Sequence, residues 1–319
     1  MRTFPVILDV DTGVDDALAL LFAVKHPSID VLAITCVAGN APLPQVIDNT
    51  LRILDAAEAP EIPVAGGALR PLLAAARSAS HVHGEDGLGG ITLPPTARVP
   101  EQVSAVELMR RTLMESRERV TIVALAPQTN LALLLRTHPE VADRIERIVF
   151  MGGSASVGNA TAVAEFNVWH DPEAAAIVLG SGVPIFMYGL DVFNQVSVPQ
   201  DAAATLADGD DPLGHVVGAL LGNRIALSED ATLVYTGLIG DAGAVCSLVE
   251  PDALQVEKRP VRVELSGYGR GQTIVDRRRY SGEDVLHGEV GEWTVIDVAL
   301  DVDAPRYAEL FLETLGLTR

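Results

Sequence analysis

Four carboxylates fall within one short stretch near the start of the chain: Asp9, Asp11, Asp15 and Asp16, with Gly13 between the pairs. Anions this close repel one another and raise each other's pKa unless a positive charge lies among them. No Lys or Arg occurs between Arg2 and Lys25, and a helix N-terminus offers only a partial charge. The pattern therefore points to a bound cation. Oxygen-only ligands favour a hard divalent ion, Ca2+ or Mg2+. An acidic turn with one capping Asp and the rest in solvent is enough to explain a lone DxD. The run DVDTGVDD, set between two apolar segments, asks for more than that.

The flanking segments position these groups. Phe4 to Val10 is apolar and β-branched, the composition of a buried strand, and Ala17 to Val24 is an apolar run of good helix formers. The carboxylates thus sit outside the carboxyl end of a strand, where open α/β sheets bind ligands. Ile29 to Val37 reads as a second strand, closed by Gly39-Asn40 at the same edge. Asn40 suits a turn and a ligand-facing role equally.

Composition narrows the class. A net charge of −20 over 319 residues argues against phosphate-backbone binding, which needs clustered Lys and Arg, and against anionic membrane surfaces. Cys36 and Cys246 lie in apolar runs and read as buried thiols, not a disulfide framework. The N-terminus passes directly into a strand, with no leader pattern. No uncharged apolar run reaches 18 residues. The expectation is a cytoplasmic globular protein.

Further along, 42–59 is predicted helical and 68–80 helical in part. The glycine-rich segment His81 to Gly90 reads as a mobile loop and candidate lid. Its His pair at i, i+2 matches no zinc spacing. Gln102 to Arg117 is a predicted helix. Val120 to Leu125 is a predicted strand, and Pro127 in the turn after it leaves the preceding carbonyl free to bind. Ile145 to Met151 and Val183 to Tyr188 are further strands, separated by a polar loop and a helix that Asp171-Pro172 begins. Residues 200–235 read as helical with an acidic break at Asp208 to Pro212, and Asp241 starts an apolar helix. Residues 254–300 read as strand-like, Trp293 to Val302 as a strand and Pro305 to Leu315 as a closing helix. The run Arg277-Arg278-Arg279 suits a solvated edge or subunit contact. Alternating strands and helices give an α/β protein with an open, mostly parallel sheet and helices on both faces. No linker splits residues 1–319, so one domain is expected.

At this point a resemblance becomes specific. Asp9 to Asp16 resembles the N-terminal signature of the inosine-uridine-preferring nucleoside hydrolases. Later landmarks fall in the same order: Gly39-Asn40, His83-Gly84, Pro127 to Ala132, Met151-Gly152-Gly153, Gly158-Asn159, Ala164 to Asn167, Asp171 to Ala174, Gly189-Leu190-Asp191, Asp241 and Val298 to Asp303. The match spans essentially the whole chain. It implies one α/β domain with a Rossmann-like core in a mixed sheet, a bound Ca2+, and hydrolysis of ribonucleosides to ribose and base. By position, Asp11, Asp16, the Leu125 main-chain carbonyl and Asp241 resemble the metal ligands. Asp15, Asn167 and Asp241 match groups on the ribose hydroxyls, and Asn159 and Glu165 groups at the 5′-hydroxyl. Asn40, Met151 and His83 match residues lining the substrate site. The family also suggests dimers or tetramers.

The chemistry fits these residue types. An N-glycosidic bond breaks through a transition state with oxocarbenium character. A divalent cation acidifies the attacking water and a carboxylate, Asp11, takes its proton. Fixing every ribose hydroxyl should exclude deoxyribose. The departure is on the leaving-group side. The residue before the last metal Asp, often a His or aromatic in the family, is Gly240 here. Tyr235, Arg224 and His83 are possible substitutes. Two other readings compete. DVDTG also resembles the opening of haloacid dehalogenase-type phosphatases, with Asp9 as nucleophile, but their phosphate-binding Lys has no counterpart beside Lys25 and Lys258. A non-catalytic nucleoside or cation binder would explain Gly240 as lost catalysis.

Overall fold

The computed structural model describes residues 3–225, 234–280, 282–288, 291 and 293–318. The first half of the chain runs β1 (Phe4–Val10), α1 (Val14–Lys25), β2 (Ile29–Cys36), α2 (Leu43–Ala56), β3 (Val64–Gly66) and α3 (Ser80–His83). It continues α4 (Ala105–Glu115), β4 (Val120–Ala124), α5 (Thr129–Thr137), β5 (Ile145–Met151), α6 (Phe166–His170), α7 (Pro172–Leu179) and β6 (Ile185–Tyr188). Then follow α8 (Leu190–Phe193), α9 (Gln200–Ala207), α10 (Pro212–Leu221), β7 (Arg224–Ile225), β8 (Val234–Tyr235) and α11 (Ala242–Val249). The chain closes with β9 (Leu254–Val263), β10 (Thr273–Val275), α12 (Glu283–Leu286), β11 (Thr294–Val302) and α13 (Ala304–Thr314).

Nine strands form one sheet in the order β10-β9-β11-β6-β5-β4-β1-β2-β3. From β3 to β11 every pairing is parallel, and β9 and β10 add an antiparallel edge. The fold is α/β with an open, mixed sheet, as the alternation of strands and helices predicts. Within it, β3-β2-β1-β4-β5-β6 is the doubly wound order, and its direction reverses between β1 and β4. A crevice opens there outside the strand ends. The carboxylate turn and Leu125 flank it.

The two faces carry separate cores. One gathers α1, α2, α10, α11 and α13; the other gathers α4, α5 and α7. Helix α1 is sealed on all sides, with every residue from Ala17 to Ala23 at 0% exposure. Burying Leu18, Leu20, Leu21 and Phe22 stabilises the fold by about 2 kcal/mol each. This rigid strand–turn–helix is what fixes the acidic turn. Among the described residues no helix is long and apolar enough to cross a membrane.

Three expectations change. The alanine-rich stretch before residue 80 forms no helix until α3. Two of its main-chain donors are captured from afar instead: Ala68 N–H donates to Asn130 (2.9 Å) and Leu72 N–H to Asp171 (2.9 Å). Residues 200–235 hold two helices parted at the expected acidic break, but the β7–β8 ribbon replaces helix beyond them, and 226–233 lie outside the described residues. The His81–Gly90 segment is docked: His83 and Leu88 are buried, and Asn223 Nδ2 donates to Val82 O (3.1 Å). Arg278 of the arginine run pairs with Asp276 and Asp284 at the surface.

Candidate active site

The turn between β1 and α1 is built around Asp16. Its Oδ1 accepts from Asp11 N–H (3.1 Å), and its Oδ2 accepts from Gly13 N–H (2.9 Å) and Asn40 Nδ2 (3.1 Å). As the third residue of α1 it reaches back to the cap position, the usual reason for an acid there. Asp11 is held differently. Its Oδ2 accepts from Asn40 N–H (2.7 Å), while Oδ1 is buried and has no hydrogen-bond partner among the described residues. Asn40 therefore ties the turn after β2 to both Asp11 and Asp16. Gly39 makes the approach possible, because a Cβ there would lie 2.0 Å from Asp11 Oδ2.

Asp241 reaches the turn from the start of α11 and is buried with no capping bond of its own. Carboxylate oxygens of Asp15, Asp16 and Asp241 lie within 4.8 Å of one another. Asp11 stands beside this triplet, and Asp16 is the charged neighbour that repels it most. Burial drives its pKa well above the carboxylate range, and repulsion from Asp16 adds to it. Burial and then Asp15 lift Asp16 to about 7. Asp241 is raised by burial and by Asp15, Asp16 and Asp11. No Lys or Arg is paired with these four acids among the described residues. An unpartnered buried oxygen among crowded anions is the arrangement a hard cation satisfies, so the donor set fits a divalent ion.

The other strand ends complete the crevice. Leu125 N–H donates to Asp9 O (2.8 Å), and the Leu125 carbonyl accepts from Asn167 Nδ2 (2.8 Å). Asn167 Nδ2 also reaches Met151 O (3.1 Å). The amide thus ties β4 and β5 together at the crevice. Glu165 is buried and caps α6: Asn167, Gly153 and Val168 donate main-chain N–H groups to its two oxygens. Burial still lifts its pKa to about 7. Asn159 is exposed, and its Oδ1 accepts from Phe166 N–H (2.9 Å). His83 closes the opposite side. Val14 N–H donates to its Nδ1 (3.2 Å), so the neutral ring carries its proton on Nε2. Asp15 Oδ1 lies 3.8 Å from the same nitrogen, too far for a hydrogen bond. Burial lowers the His83 pKa and Asp15 opposes it.

Some positions sequence reasoning left aside prove important. Asn130 Nδ2 donates to Asp9 Oδ1 (2.8 Å) and Cys36 O (3.0 Å), and Thr35 Oγ1 donates to the same Asp9 oxygen (2.6 Å). Asp9 is fully buried, with both of these bonds on its Oδ1, and its Oδ2 has no hydrogen-bond partner among the described residues. Only its place in the DxD run hinted at its role. Gly240 has φ +55°, and a Cβ there would lie 2.4 Å from Asp15 Cβ. No side chain fits at that position beside Asp15, so the glycine is a requirement of the site's geometry. Tyr235 is occupied, its hydroxyl donating to Val198 O (2.5 Å). The Arg224 side chain lies outside the described residues. A surface cavity of about 640 Å³ lies at the far end of the strands, lined in part by Pro5, Asp30, Leu32 and Arg117, away from these acids.

The profile of the inosine-uridine preferring nucleoside hydrolases matches residues 6–309. The chain belongs to this family. Nucleoside hydrolases are N-glycosyl hydrolases, and this protein is an enzyme of that class. It is 41% identical over 313 residues to the pyrimidine-specific ribonucleoside hydrolase RihA of Salmonella typhi, covering 98% of both chains. Identity to the protein of the same description in Escherichia coli is 40% over 313 residues, again covering 98% of each. Among solved nucleoside hydrolases, a plant enzyme, PpNRh1, superposes with a TM-score of 0.88 at 31% identity, covering 98% of this chain and 99% of its own. The purine-preferring ribonucleoside hydrolase from Gardnerella vaginalis superposes at 0.86, also at 31% identity, covering 98% of both.

Proposed function

We propose that the protein hydrolyses the N-glycosidic bond of ribonucleosides in a divalent-cation-dependent reaction, with Asp11 as general base. The observation that carries this reading is the bare, buried Oδ1 of Asp11 beside three clustered carboxylates. Asp11, Asp16, Asp241 and the Leu125 carbonyl would hold the cation, and Ca2+ suits these oxygen donors. When bound, it supplies the positive charge that lets the acids ionise together, and it acidifies a neighbouring water.

Each side chain then has a task. Asn40 N–H fixes Asp11 through Oδ2, leaving Oδ1 to accept the water's proton. The water oxygen bonds to C1′, the glycosidic pair leaves with the base, and the base takes a proton from solvent. Asp15 and Asn167, with Asp241, hold the ribose hydroxyls, and Asn159 and Glu165 face the 5′-hydroxyl. The buried acids offset the positive charge that develops on the ring. Asn40, Met151 and His83 line the base side, where His83 offers Nε2–H. The pyrimidine-specific relatives at 40–41% identity support pyrimidine ribonucleosides as the preferred class. The whole chain acts as one domain, and association into dimers or tetramers belongs to this reading.

The test is base release from uridine, cytidine, inosine, adenosine and 2′-deoxyuridine. Release from ribonucleosides, fastest for pyrimidines and near zero for the deoxy compound, is expected. Equal rates on uridine and deoxyuridine would refute the ribose-hydroxyl assignments, and no release from any would refute the reading.

A further inference from the structure

We propose that Asn49 is a positioning residue that fastens the loop following His83 to the carboxylate turn, so that the two move as one body. The hydrolase reading enters only in taking that loop as substrate-facing. Asn49 lies within α2 and is 2% exposed. Its single amide group donates to Thr12 O (3.1 Å) in the acidic turn and to Asp86 O (2.9 Å) in the loop. Its Oδ1 accepts from Gln45 Nε2 (2.8 Å), which fixes the orientation of the amide. Both donors of one side chain are thus spent on two separate segments, neither of which is bonded to α2 through its own main-chain ladder.

The surroundings are shaped for this joint. Thr50, the next residue, bonds the Thr12 hydroxyl (2.6 Å) while its own hydroxyl donates to Val46 O (2.8 Å). α2 therefore grips Thr12 by both main chain and side chain. On the loop side, Asp86 Oδ1 accepts from Leu88 and Gly90 N–H (3.1 Å each), and Gly89 N–H donates to His83 O (2.7 Å). The loop is thereby a folded unit whose displacement carries His83 with it. Gly87 has φ +77°, and a Cβ there would sit 2.9 Å from Asn49 Nδ2. The loop backbone can press against the amide only because residue 87 lacks a side chain. The Asn49 bridge and the Val14-to-His83 hydrogen bond are parallel fasteners between the same two segments. Removing the first leaves two main-chain carbonyls without donors.

Amide hydrogen exchange on the Ca2+-loaded wild type and on Asn49→Ala, Gly87→Ala and Thr50→Val tests this. Loop amides 84–90 should exchange about tenfold faster in Asn49→Ala, the factor expected for one lost hydrogen-bonded joint. Gly87→Ala strains the joint from the other side and should act in the same direction. In both, β1, β4 and β5 should exchange as in the wild type. Thr50→Val, which loosens Thr12 but not the loop, should leave loop exchange unchanged. Uridine KM should rise about tenfold in Asn49→Ala with kcat held within about threefold. Unchanged loop exchange in Asn49→Ala, or an increase shared equally by the loop and the sheet, would overturn the proposal. Wild-type protein that releases no base would sink the hydrolase reading instead, and the exchange comparison would still decide the role of Asn49.

Discussion

Two buried carboxylates near the crevice, Asp11 and Glu165, are treated in opposite ways. Glu165 receives three main-chain N–H bonds at the head of α6, and both its oxygens are used. Asp11 receives one, and its other oxygen is bare. Burial raises both pKa values, so titration alone does not separate them. Hydrogen-bond occupancy does. A satisfied buried acid stabilises local backbone, whereas a buried acid left half-bare costs stability that only a ligand recovers. In the proposed reading the β1–α1 turn is the reactive region and the segment leading into α6 is its frame.

Substitutions can break that contrast. Asp11→Asn should lower kcat by about a thousandfold, the scale of a lost general base, while leaving stability unchanged or raised, because a strained anion is gone. Steady-state kinetics beside urea melts would read both, and a stability loss with normal kcat would reverse the assignment. His170, at the end of α6, is the exception in the framing region, buried with neither ring nitrogen partnered among the described residues. Burial, with Arg77 nearby, pulls its pKa from 6.5 to about 4. The folded state therefore refuses a proton that the unfolded chain accepts. This group's contribution is complete above the unfolded pKa and lost as pH falls toward 4, a total of about 3 kcal/mol. His170→Phe should gain on the wild type by that amount between neutral and acid pH, and a pH-independent difference would show that His170 is charged in the fold.

Glu165→Gln should cost about 2 kcal/mol, since the amide NH₂ must face a main-chain donor. Its stability loss should exceed its effect on kcat, and the reverse outcome would move Glu165 into the reactive group. The smallest expected effect on kcat is that of Gly240→Ala. Positive φ and the 2.4 Å approach to Asp15 Cβ should cost more than about 1 kcal/mol and raise KM more than they lower kcat. A neutral Gly240→Ala would mean the glycine is not set by Asp15.

The acidic turn was legible in the sequence because its cause is local. An apolar strand, four acids without a counter-charge and an apolar helix are consecutive, and the fold keeps them so. The sheet was legible from its strand runs, though not the antiparallel edge at β9 and β10, whose pairing depends on partners far along the chain. The frame was less legible. Glycines suggested a mobile loop at 81–90, but burial of Leu88 and the reach of Asn49 and Asn223 dock it. Alanines suggested a helix before residue 80, but Asn130 and Asp171 take two of its main-chain donors, and Arg77 lies 4.0 Å over the Trp169 ring. In each case tertiary hydrogen bonds outweighed a propensity of a few tenths of a kcal/mol per residue. The positive φ of Gly240 and its closeness to Asp15, which favour glycine there, were not legible in the sequence.

The most direct test of the central claim is uracil release from uridine by protein stripped of divalent cations, with the stripping verified, followed by Ca2+ titration. The account predicts negligible release from the stripped protein and recovery on adding Ca2+, with Asp11→Asn inactive throughout. Full turnover by the stripped protein would contradict it, because the bare oxygen of Asp11 and the three acids beside it would then need no cation to work.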